Sequence, residues 1–331
     1  MIDAFLVVDK PAGITSHDVV AVVRAVTGTK KVGHSGTLDP FATGVLALAL
    51  GATTRLLQFL DESIKVYDAT IRLGTATDTG DPTGEVIRSA AIPPLEAGAV
   101  QGVLDGFLGE RMQRPPAFSA VKHKGKPLYW YARRGEHVEV AARPITVSEA
   151  RLVELSPDHL RVQLTCSRGT YARVLADEIA SALGTAGHLE ALARLRSGPF
   201  RMTDAVSMDA LGELVSAEPG HTWQDVLLPR RREERLPWRP RDEVIAALAP
   251  RLVRPLDALG HLPLIDVDEA GVRRVRNGHA PGELPPGVEV GGRYLLVHGA
   301  DLIAVAEQTA RGPKVLRVVG QDDPPRRPRR P

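Results

Sequence analysis

The chain has 331 residues, enough for about two domains, and its 43% hydrophobic and 25% charged residues exclude a wholly disordered protein. The single cysteine, Cys166, excludes an intramolecular disulfide, a CxxC redox pair and a zinc site built from several cysteines. No apolar run approaches the roughly 20 residues of a membrane-spanning helix, and residues 1–10 lack the pattern of a signal peptide. The lone cysteine suits a reducing compartment, so we expect a soluble, cytoplasmic protein; the net charge of +2 by itself says little about partners.

The first fifty residues predict a helix, a glycine-rich loop and a second helix. Ser16 can cap a helix over 16–28, because valines recur along one face of that segment and Gly28 can end it. A loop punctuated by glycines follows, from Lys30 to Pro40. The small apolar residues of 42–50 indicate a second helix.

The centre of the chain predicts strands separated by helices. Residues 67–73 alternate in the manner of a strand, and residues 145–155 and 159–166 indicate two more. After Gly169, the periodicity of 170–183 is typical of a helix. This order favours an α+β fold over 1–212.

The composition changes after about residue 212. Residues 213–258 are rich in Arg and Pro, which predicts a linker or an insertion between domains. Short β-like runs within 259–319 have the spacing of a small barrel or sandwich. Residues 320–331 hold four arginines and four prolines, and we expect them to form a disordered basic tail.

Asp39 is the first candidate for chemistry. It lies between the glycines of the 33–38 segment and Pro40, which restricts its conformation. A carboxylate held on such a loop can serve as a nucleophile or as an acid or base. The same Asp-Pro pair could also make only a local turn hydrogen bond.

The spacing of other polar residues argues against several familiar sites. The loop after Gly28 lacks the Gly-Lys-Ser/Thr of a phosphate-binding loop, and Asp78, Asp81 and Glu85 do not match a calcium loop. The sequence has no His-x-x-x-His pair of the kind that binds zinc in hydrolases. It also has no Gly-x-Gly-x-x-Gly at the start of a helix, which argues against a bound dinucleotide. The sequence therefore predicts chemistry without a metal or cofactor.

Three further features could bind or act on a polyanion, and each also has a simpler interpretation. Arg173 falls in the first turn of its predicted helix, where the dipole favours an anionic partner for it. Tyr67 begins a strand and could present its ring or its hydroxyl. Residues 113–135 interleave cations with aromatics, a pattern that can follow a nucleic-acid backbone. The simpler interpretations are a solvated arginine, a core tyrosine and a solvated basic loop.

Five segments in order resemble the bacterial tRNA pseudouridine-55 synthases, the TruB family, over roughly residues 3–205. These segments are 9–16 (Asp-Lys-Pro-Ala-Gly-Ile-Thr-Ser), 33–46 (Gly-His-Ser-Gly-Thr-Leu-Asp-Pro-Phe-Ala-Thr-Gly-Val-Leu), 65–67 (Lys-Val-Tyr), 113–122 (Gln-Arg-Pro-Pro-Ala-Phe-Ser-Ala-Val-Lys) and 166–173 (Cys-Ser-Arg-Gly-Thr-Tyr-Ala-Arg). Each segment alone carries little weight, whereas all five in order are specific.

The resemblance implies an isomerase that moves the glycosidic bond of one T-loop uridine of tRNA from N1 to C5 of uracil, with no cofactor and no metal. It implies a pseudouridine synthase fold, with a mixed, mainly antiparallel central sheet flanked by helices. It also implies a small PUA-like β domain over 259–319 that would hold the acceptor arm of the tRNA. A monomer is expected.

The resemblance also implies roles for individual residues. Asp39 matches the catalytic nucleophile, with attack on the base or on the ribose both open, and Arg173 matches the arginine that keeps this carboxylate ionised. Tyr67 matches the tyrosine that stacks on the target base and is a candidate to remove the C5 proton. His34 matches a histidine associated with extruding the base, and Leu195 an apolar residue of the uracil pocket. The matching segments further predict substrate contacts at Lys10, Gly36, Thr37, Lys122 and Tyr171.

Two other functions remain as alternatives. One is a pseudouridine synthase for another RNA, such as the guide-directed enzymes of archaea and eukaryotes, which activity on free tRNA would distinguish. The other is an RNA-binding or RNA-folding protein on the same fold. The joint presence of Asp39, Tyr67 and Arg173 argues against a loss of catalysis.

Overall fold

The structure is a computed structural model that describes residues 2–61, 63–136, 138–217, 220, 222–227 and 238–320. Its strands, in chain order, are β1 (Phe5–Lys10), β2 (Val32–His34), β3 (Thr43–Leu50), β4 (Lys65–Leu73), β5 (Thr75–Thr77), β6 (Val86–Ser89), β7 (Gly109–Gln113), β8 (Lys122–His123), β9 (Lys126–Pro127), β10 (Arg143–Leu155), β11 (His159–Cys166), β12 (Gly187–Ser197), β13 (Phe200–Arg201), β14 (Val206–Ser207), β15 (Leu252–Val253), β16 (Leu264–Asp266), β17 (Arg293–His298), β18 (Asp301–Thr309) and β19 (Gly312–Val318).

The helices of the described residues alternate with these strands. They are α1 (Ser16–Thr27), α2 (Ala97–Asp105), α3 (Leu128–Ala132), α4 (Ala172–Ala182), α5 (Met208–Val215), α6 (Trp223–Leu227), α7 (Arg241–Leu248), α8 (Pro255–Ala258) and α9 (Glu269–Arg276). Short 3₁₀ helices lie at Gly51–Phe59, Met202–Asp204 and Ala249–Arg251. None of the helices in the described ranges has the length and apolarity needed to cross a bilayer.

The larger sheet is mixed and mainly antiparallel, as predicted. Its central order is β14-β1-β3-β12-β4-β11-β10-β7. The long neighbours β4, β10, β11 and β12 pair antiparallel, whereas β3 runs parallel to β12 and β14 parallel to β1. Helices α1, α2, α4, α5 and α7 contribute apolar side chains to the core on one face of this sheet.

Residues 42–50 form a strand, so the helix predicted there is wrong. Leu46, Leu48 and Leu50 of β3 face the helices, and the alternate residues face a second core on the other side of the sheet. A strand that is covered on both faces needs apolar residues at nearly every position. It therefore loses the alternation by which a half-exposed strand is distinguished from a helix.

The predicted small β domain is present as a second sheet. Its order is β16-β17-β18-β19, and α9 contributes to the core on one of its faces. The other face packs directly on the larger sheet through a shared core that includes Phe5, Phe200, Leu259, Leu295 and Val305. This apolar contact holds the C-terminal sheet against the first domain.

The segment predicted as a linker, 213–258, contains ordered elements. Val244 and Leu248 of α7 are buried in the same core as α1, and β15 pairs antiparallel with β1. Residues 228–237 and the tail from 321 to 331 lie outside the described residues.

Candidate active site

A cavity of about 410 Å³ opens where the loop that carries Asp39 meets β4, β12 and the start of α4. Its walls include Gly36, Thr37, Asp39, Tyr67, Tyr171 and Arg173. Residues that are distant in sequence therefore meet around one concave site.

The loop before Asp39 is fixed by Ser16, the first residue of α1. Ser16 Oγ accepts a hydrogen bond from Leu38 N at 2.9 Å and donates to Leu38 O at 3.1 Å. Ser16 was predicted to cap α1, but Thr15 does so, with its hydroxyl accepting from Asp18 N at 3.2 Å. This leaves the Ser16 hydroxyl to hold the loop.

Arg173 fixes the carboxylate of Asp39. Its Nε lies 2.9 Å from Asp39 Oδ2, its Nη1 donates to Thr79 O at 2.7 Å, and its Nη2 donates to Phe118 O at 2.9 Å. The guanidinium is nearly buried, with 6% of the side chain exposed, whereas 36% of the Asp39 side chain remains exposed. The carboxylate is therefore held by a long-range ion pair and still faces the cavity.

Asp81 is a second carboxylate on the same arginine, and the sequence analysis used it only to reject a calcium loop. Its Oδ2 lies 3.8 Å from Arg173 Nη1, and 8% of its side chain is exposed. Its Oδ1 accepts hydrogen bonds from the Thr79 hydroxyl at 2.8 Å and the Thr83 hydroxyl at 2.6 Å. Nothing in the local sequence indicated that the β5–β6 turn reaches the helix that carries Arg173.

The charges around Asp39 oppose one another. Burial raises the pKa of Asp39 above its ordinary value, Arg173 opposes this increase, and the like charge of Asp81 adds to it. The pKa is therefore raised overall, so Arg173 does not fully offset burial. A carboxylate with a raised pKa is a stronger nucleophile than an ordinary one once it is ionised.

Arg194 is the functional residue that the sequence analysis missed most clearly. It is 1% exposed, and its guanidinium donates to Val45 O at 2.8 Å, Gly36 O at 3.0 Å and Thr37 O at 3.4 Å. Two of these carbonyls belong to the loop that carries Asp39. The sequence around Arg194 did not distinguish it from the many arginines that lie on the surface.

Tyr67 lies opposite Arg194 across the β4–β12 pair and lines the cavity. Burial raises the pKa of its hydroxyl, while the charge of Arg194 and a hydrogen bond from it act in the opposite direction. At neutral pH the hydroxyl therefore stays protonated, and Arg194 is the group that eases its ionisation.

Tyr171 is held in the cavity wall by Gln113. The backbone N–H of Tyr171 donates to Gln113 Oε1 at 2.8 Å, and Gln113 Nε2 donates to Tyr171 O at 3.2 Å. This pair joins the end of β7 to the first turn of α4, where Arg173 is the second residue.

Comparisons with known proteins agree with this arrangement. A family model described as the N-terminal domain of the TruB family pseudouridylate synthases matches residues 24–172, and one for the tRNA pseudouridylate synthase B C-terminal domain matches 173–232. A tRNA pseudouridine synthase B from Geobacter sulfurreducens is 42% identical over 314 residues, which cover 93% of this chain and 94% of that protein. The chain belongs to the TruB family.

Other relatives extend this result. A tRNA pseudouridine synthase B from Ruegeria pomeroyi is 40% identical and covers 86% of this chain and 85% of its own length. A crystal structure of a Cbf5-Nop10-Gar1 complex matches with a TM-score of 0.66 at 24% identity, covering 95% of this chain and 84% of that chain. This likeness shows a shared pseudouridine synthase fold.

Within this TruB family chain, Lys10 lies outside the cavity lining. It is fully buried, and its ammonium donates to Pro11 O at 2.9 Å, Ile14 O at 2.8 Å and Pro40 O at 3.2 Å. Burial lowers its pKa to about 8. These three carbonyls join the segment after β1 to the residue after Asp39, and the predicted contact of Lys10 with substrate remains a prediction.

Leu195 also lies outside the cavity lining. It is the extra residue of a β-bulge between Arg194 and Arg196, and it is half-buried. Leu192, three residues earlier on β12, is buried and lines the cavity. Sequence alone did not reveal this bulge, and the predicted contact of Leu195 with the uracil remains a prediction.

His34 and Lys122 lie outside the cavity lining as well. The His34 ring makes an edge contact with His17 at a centroid distance of 5.7 Å, and burial lowers its pKa, which favours the neutral form. Lys122 is exposed on the β8–β9 hairpin. Their predicted contacts with substrate remain predictions. Within the described ranges, no group of three or more His, Cys, Asp or Glu side chains could hold a metal ion.

Proposed function

We propose that this protein converts uridine 55 in the T-loop of tRNA to pseudouridine, with Asp39 as the nucleophile. The ion pair between Arg173 and Asp39, which leaves the carboxylate partly exposed in the cavity, carries the proposal. Relatives named tRNA pseudouridine synthase B at about 40% identity support the same reaction. Because we propose tRNA as the substrate, we expect the enzyme to act in the cytoplasm.

The target base must leave the T-loop before it can reach Asp39. Extrusion costs a few kcal/mol of stacking energy. The ring of Tyr67 in the cavity wall offers a new stacking surface that offsets part of this cost. His34, at the end of β2, is the side chain that we expect to enter the vacated space.

The reaction is an isomerisation, so it needs no other reactant. In the route by way of the ribose, the Asp39 carboxylate attacks C1′ as the N1–C1′ bond breaks, which gives an ester between Asp39 and the ribose. The uracil then turns, and C5 displaces the carboxylate from C1′ as the new C5–C1′ bond forms, so that Asp39 is regenerated. The C5 proton leaves, and N1 takes up a proton. We propose Tyr67 as the acceptor of the C5 proton because it lines the cavity. Since burial keeps its hydroxyl protonated at neutral pH, Tyr67 must release its own proton as it accepts this one.

The segment 122–134 is proposed to hold the T-arm. Tyr129 lines the cavity and is 41% exposed. Two cations of the same segment lie over the ring of Trp130, with Lys126 Nζ 3.6 Å and Arg134 Cζ 4.2 Å from the ring centroid. Exposed cations arranged on aromatic faces can contact both phosphates and bases. The C-terminal sheet, with Arg273 and Arg274 on α9, is proposed to contact the acceptor stem, and we expect the enzyme to act as a monomer.

Tritium release from a tRNA transcript that carries 5-tritiated uridine tests the proposal. We expect about one equivalent per tRNA from the unchanged protein and none from Asp39→Asn, because an amide cannot act as the nucleophile. Filter binding should show that Asp39→Asn retains tRNA affinity. Tyr67→Phe keeps the ring, so it should bind tRNA but release tritium slowly.

Three results would contradict the proposal or one of its residue assignments. Tight binding of free tRNA without release by the unchanged protein would favour the RNA-binding alternative or another RNA substrate. Normal release by Asp39→Asn would remove Asp39 from the reaction. Normal release by Tyr67→Phe would leave the ring as a stacking surface only.

A further inference from the structure

A second cavity, of about 780 Å³, lies at the other end of β3 from Asp39. It is bounded by the end of α1, Gly51, α7 and Gly320. Because β3 has eight residues, at about 3.3 Å per residue the two ends of this strand are about 25 Å apart. The second cavity shares no lining residue with the first.

Cations dominate the lining of this second cavity. They are Lys30, Lys31, Arg55 and Arg241, and the carboxylate among the lining residues is that of Asp3. Asp3 Oδ1 already accepts a hydrogen bond from Ala52 N at 2.6 Å. The remaining wall includes apolar side chains, among them Ile2 and Ile245. The cavity therefore suits an occupant that is acidic in one part and apolar in another.

Gly28 allows Arg241 to form part of this wall. Its φ of +65° lies in the left-handed region that ends α1, and a Cβ at this position would overlap the guanidinium of Arg241. The carbonyl end of a helix favours a cation beside it. The end of α1 and the side chain of Arg241 thus fit together at the cavity.

The chain itself supplies a matching occupant. Gly320 lines the cavity, and the sequence continues Gln321, Asp322, Asp323, Pro324, Pro325. We propose that Asp322 and Asp323 dock onto the cations of this cavity and that the two prolines pack against its apolar wall.

Chain connectivity supports this docking. Asp323 is three residues beyond Gly320, a reach of up to about 10 Å. A short tether of this kind gives the acidic pair an effective concentration that a separate molecule would not have. The arginines that follow, Arg326 to Arg330, would then start from a fixed point on this face. The inference does not depend on the proposed catalytic reaction.

A spin label on the tail tests the docking directly. Cys166 is 2% exposed, so a nitroxide reagent should modify only the new thiol of Arg326→Cys, the residue after the docked segment, in the full chain. We expect slow label motion in this parent. In the same background, Lys31→Glu with Arg241→Glu should lower the ratio of slow to fast label by roughly five- to tenfold, since each reversal replaces an attraction with a repulsion.

Two further variants serve as controls. Lys314→Glu makes the same type of change at an exposed lysine outside the cavity and should leave the label slow. Adding Asp322→Lys and Asp323→Lys to the cavity double variant should restore slow motion, because both sides of the pairing are then reversed.

Two outcomes would overturn the docking. The first is fast motion in the parent; weaker tRNA binding by Lys31→Glu with Arg241→Glu in that case would assign these cations to RNA phosphates. The second is slow motion that the cavity double variant does not change. The label reports tail motion without RNA, so failure of the proposed reaction would not alter the result.

Discussion

The loop that carries Asp39 and the segment 122–134 are both surrounded by cations, yet they use them in opposite ways. Around the loop, the cations are buried and donate to backbone carbonyls: Lys10 to Pro40 O, Arg194 to Gly36 O and Arg173 to Phe118 O. In 122–134 the cations are exposed, and Lys126 and Arg134 lie over the ring of Trp130.

The difference indicates which property of the enzyme each region sets. A buried cation without a partner is costly, so each one near Asp39 fixes a segment of backbone and thereby the position of the carboxylate. An exposed cation without a partner stays hydrated at little cost in free energy, and it can bind a phosphate. We therefore expect changes near Asp39 to affect turnover and stability, and changes in 122–134 to affect tRNA affinity.

The largest expected effect is that of Arg173→Met. This change leaves Asp39 and Asp81 without the cation that they share. We expect the free energy of unfolding to fall by about 3 kcal/mol. This value is at the low end for a broken buried pair because Asp39 is partly exposed. Turnover should fall by about 10²-fold or more, since the carboxylate loses its orientation. Urea unfolding and tritium release measure the two effects.

Arg161→Met is the matched control. Arg161 also forms a close ion pair, with Asp68 at 2.6 Å, but 48% of its side chain is exposed. Water can replace this partner, so the unfolding midpoint should change little. An equal loss of stability in both variants would show that burial does not distinguish the two pairs.

A smaller effect is expected from Asp81→Asn on the pH dependence of the reaction. Asp39 must be ionised to attack, so kcat/KM should fall as the pH decreases through its raised pKa. Asp81 contributes to that increase, and removing its charge makes ionisation of Asp39 easier. The acidic limb should therefore move to lower pH. A limb that moves to higher pH would mean that Asp81 acts mainly by orienting Arg173.

The smallest effect on catalysis is expected from Lys126→Ala with Arg134→Ala. Both cations lie over Trp130, and their loss should weaken tRNA binding and reduce the salt dependence of log K by about 0.7–0.9 per lost phosphate contact. The kcat at saturating tRNA should remain close to that of the unchanged protein. Binding titrations at several salt concentrations measure the slope.

Lys314→Ala provides the comparison for this pair. Lys314 is exposed on β19 and lies outside the segment 122–134. Its loss should leave the salt slope unchanged. A lower kcat with unchanged tRNA affinity in the Lys126 and Arg134 double variant would contradict the assignment of affinity, and not turnover, to the segment 122–134.

The sequence by itself determined the family, the order of most elements and the central residues of the site. Helix 16–28, strands 145–155 and 159–166, and helix 170–183 could be predicted because each buries one face and exposes the other. Asp39, Tyr67 and Arg173 could be named because they lie in segments whose order is specific to the family.

Only the tertiary structure decided the roles of the residues around them. It made 42–50 a strand covered on both faces, brought Asp81 to Arg173, and placed Arg194 beneath the loop that carries Asp39. It also buried Lys10 and placed Leu192, rather than Leu195, in the cavity wall. These outcomes depend on which carbonyl or carboxylate each side chain meets across the sheet, and periodicity along the chain carries no information about such long-range partners.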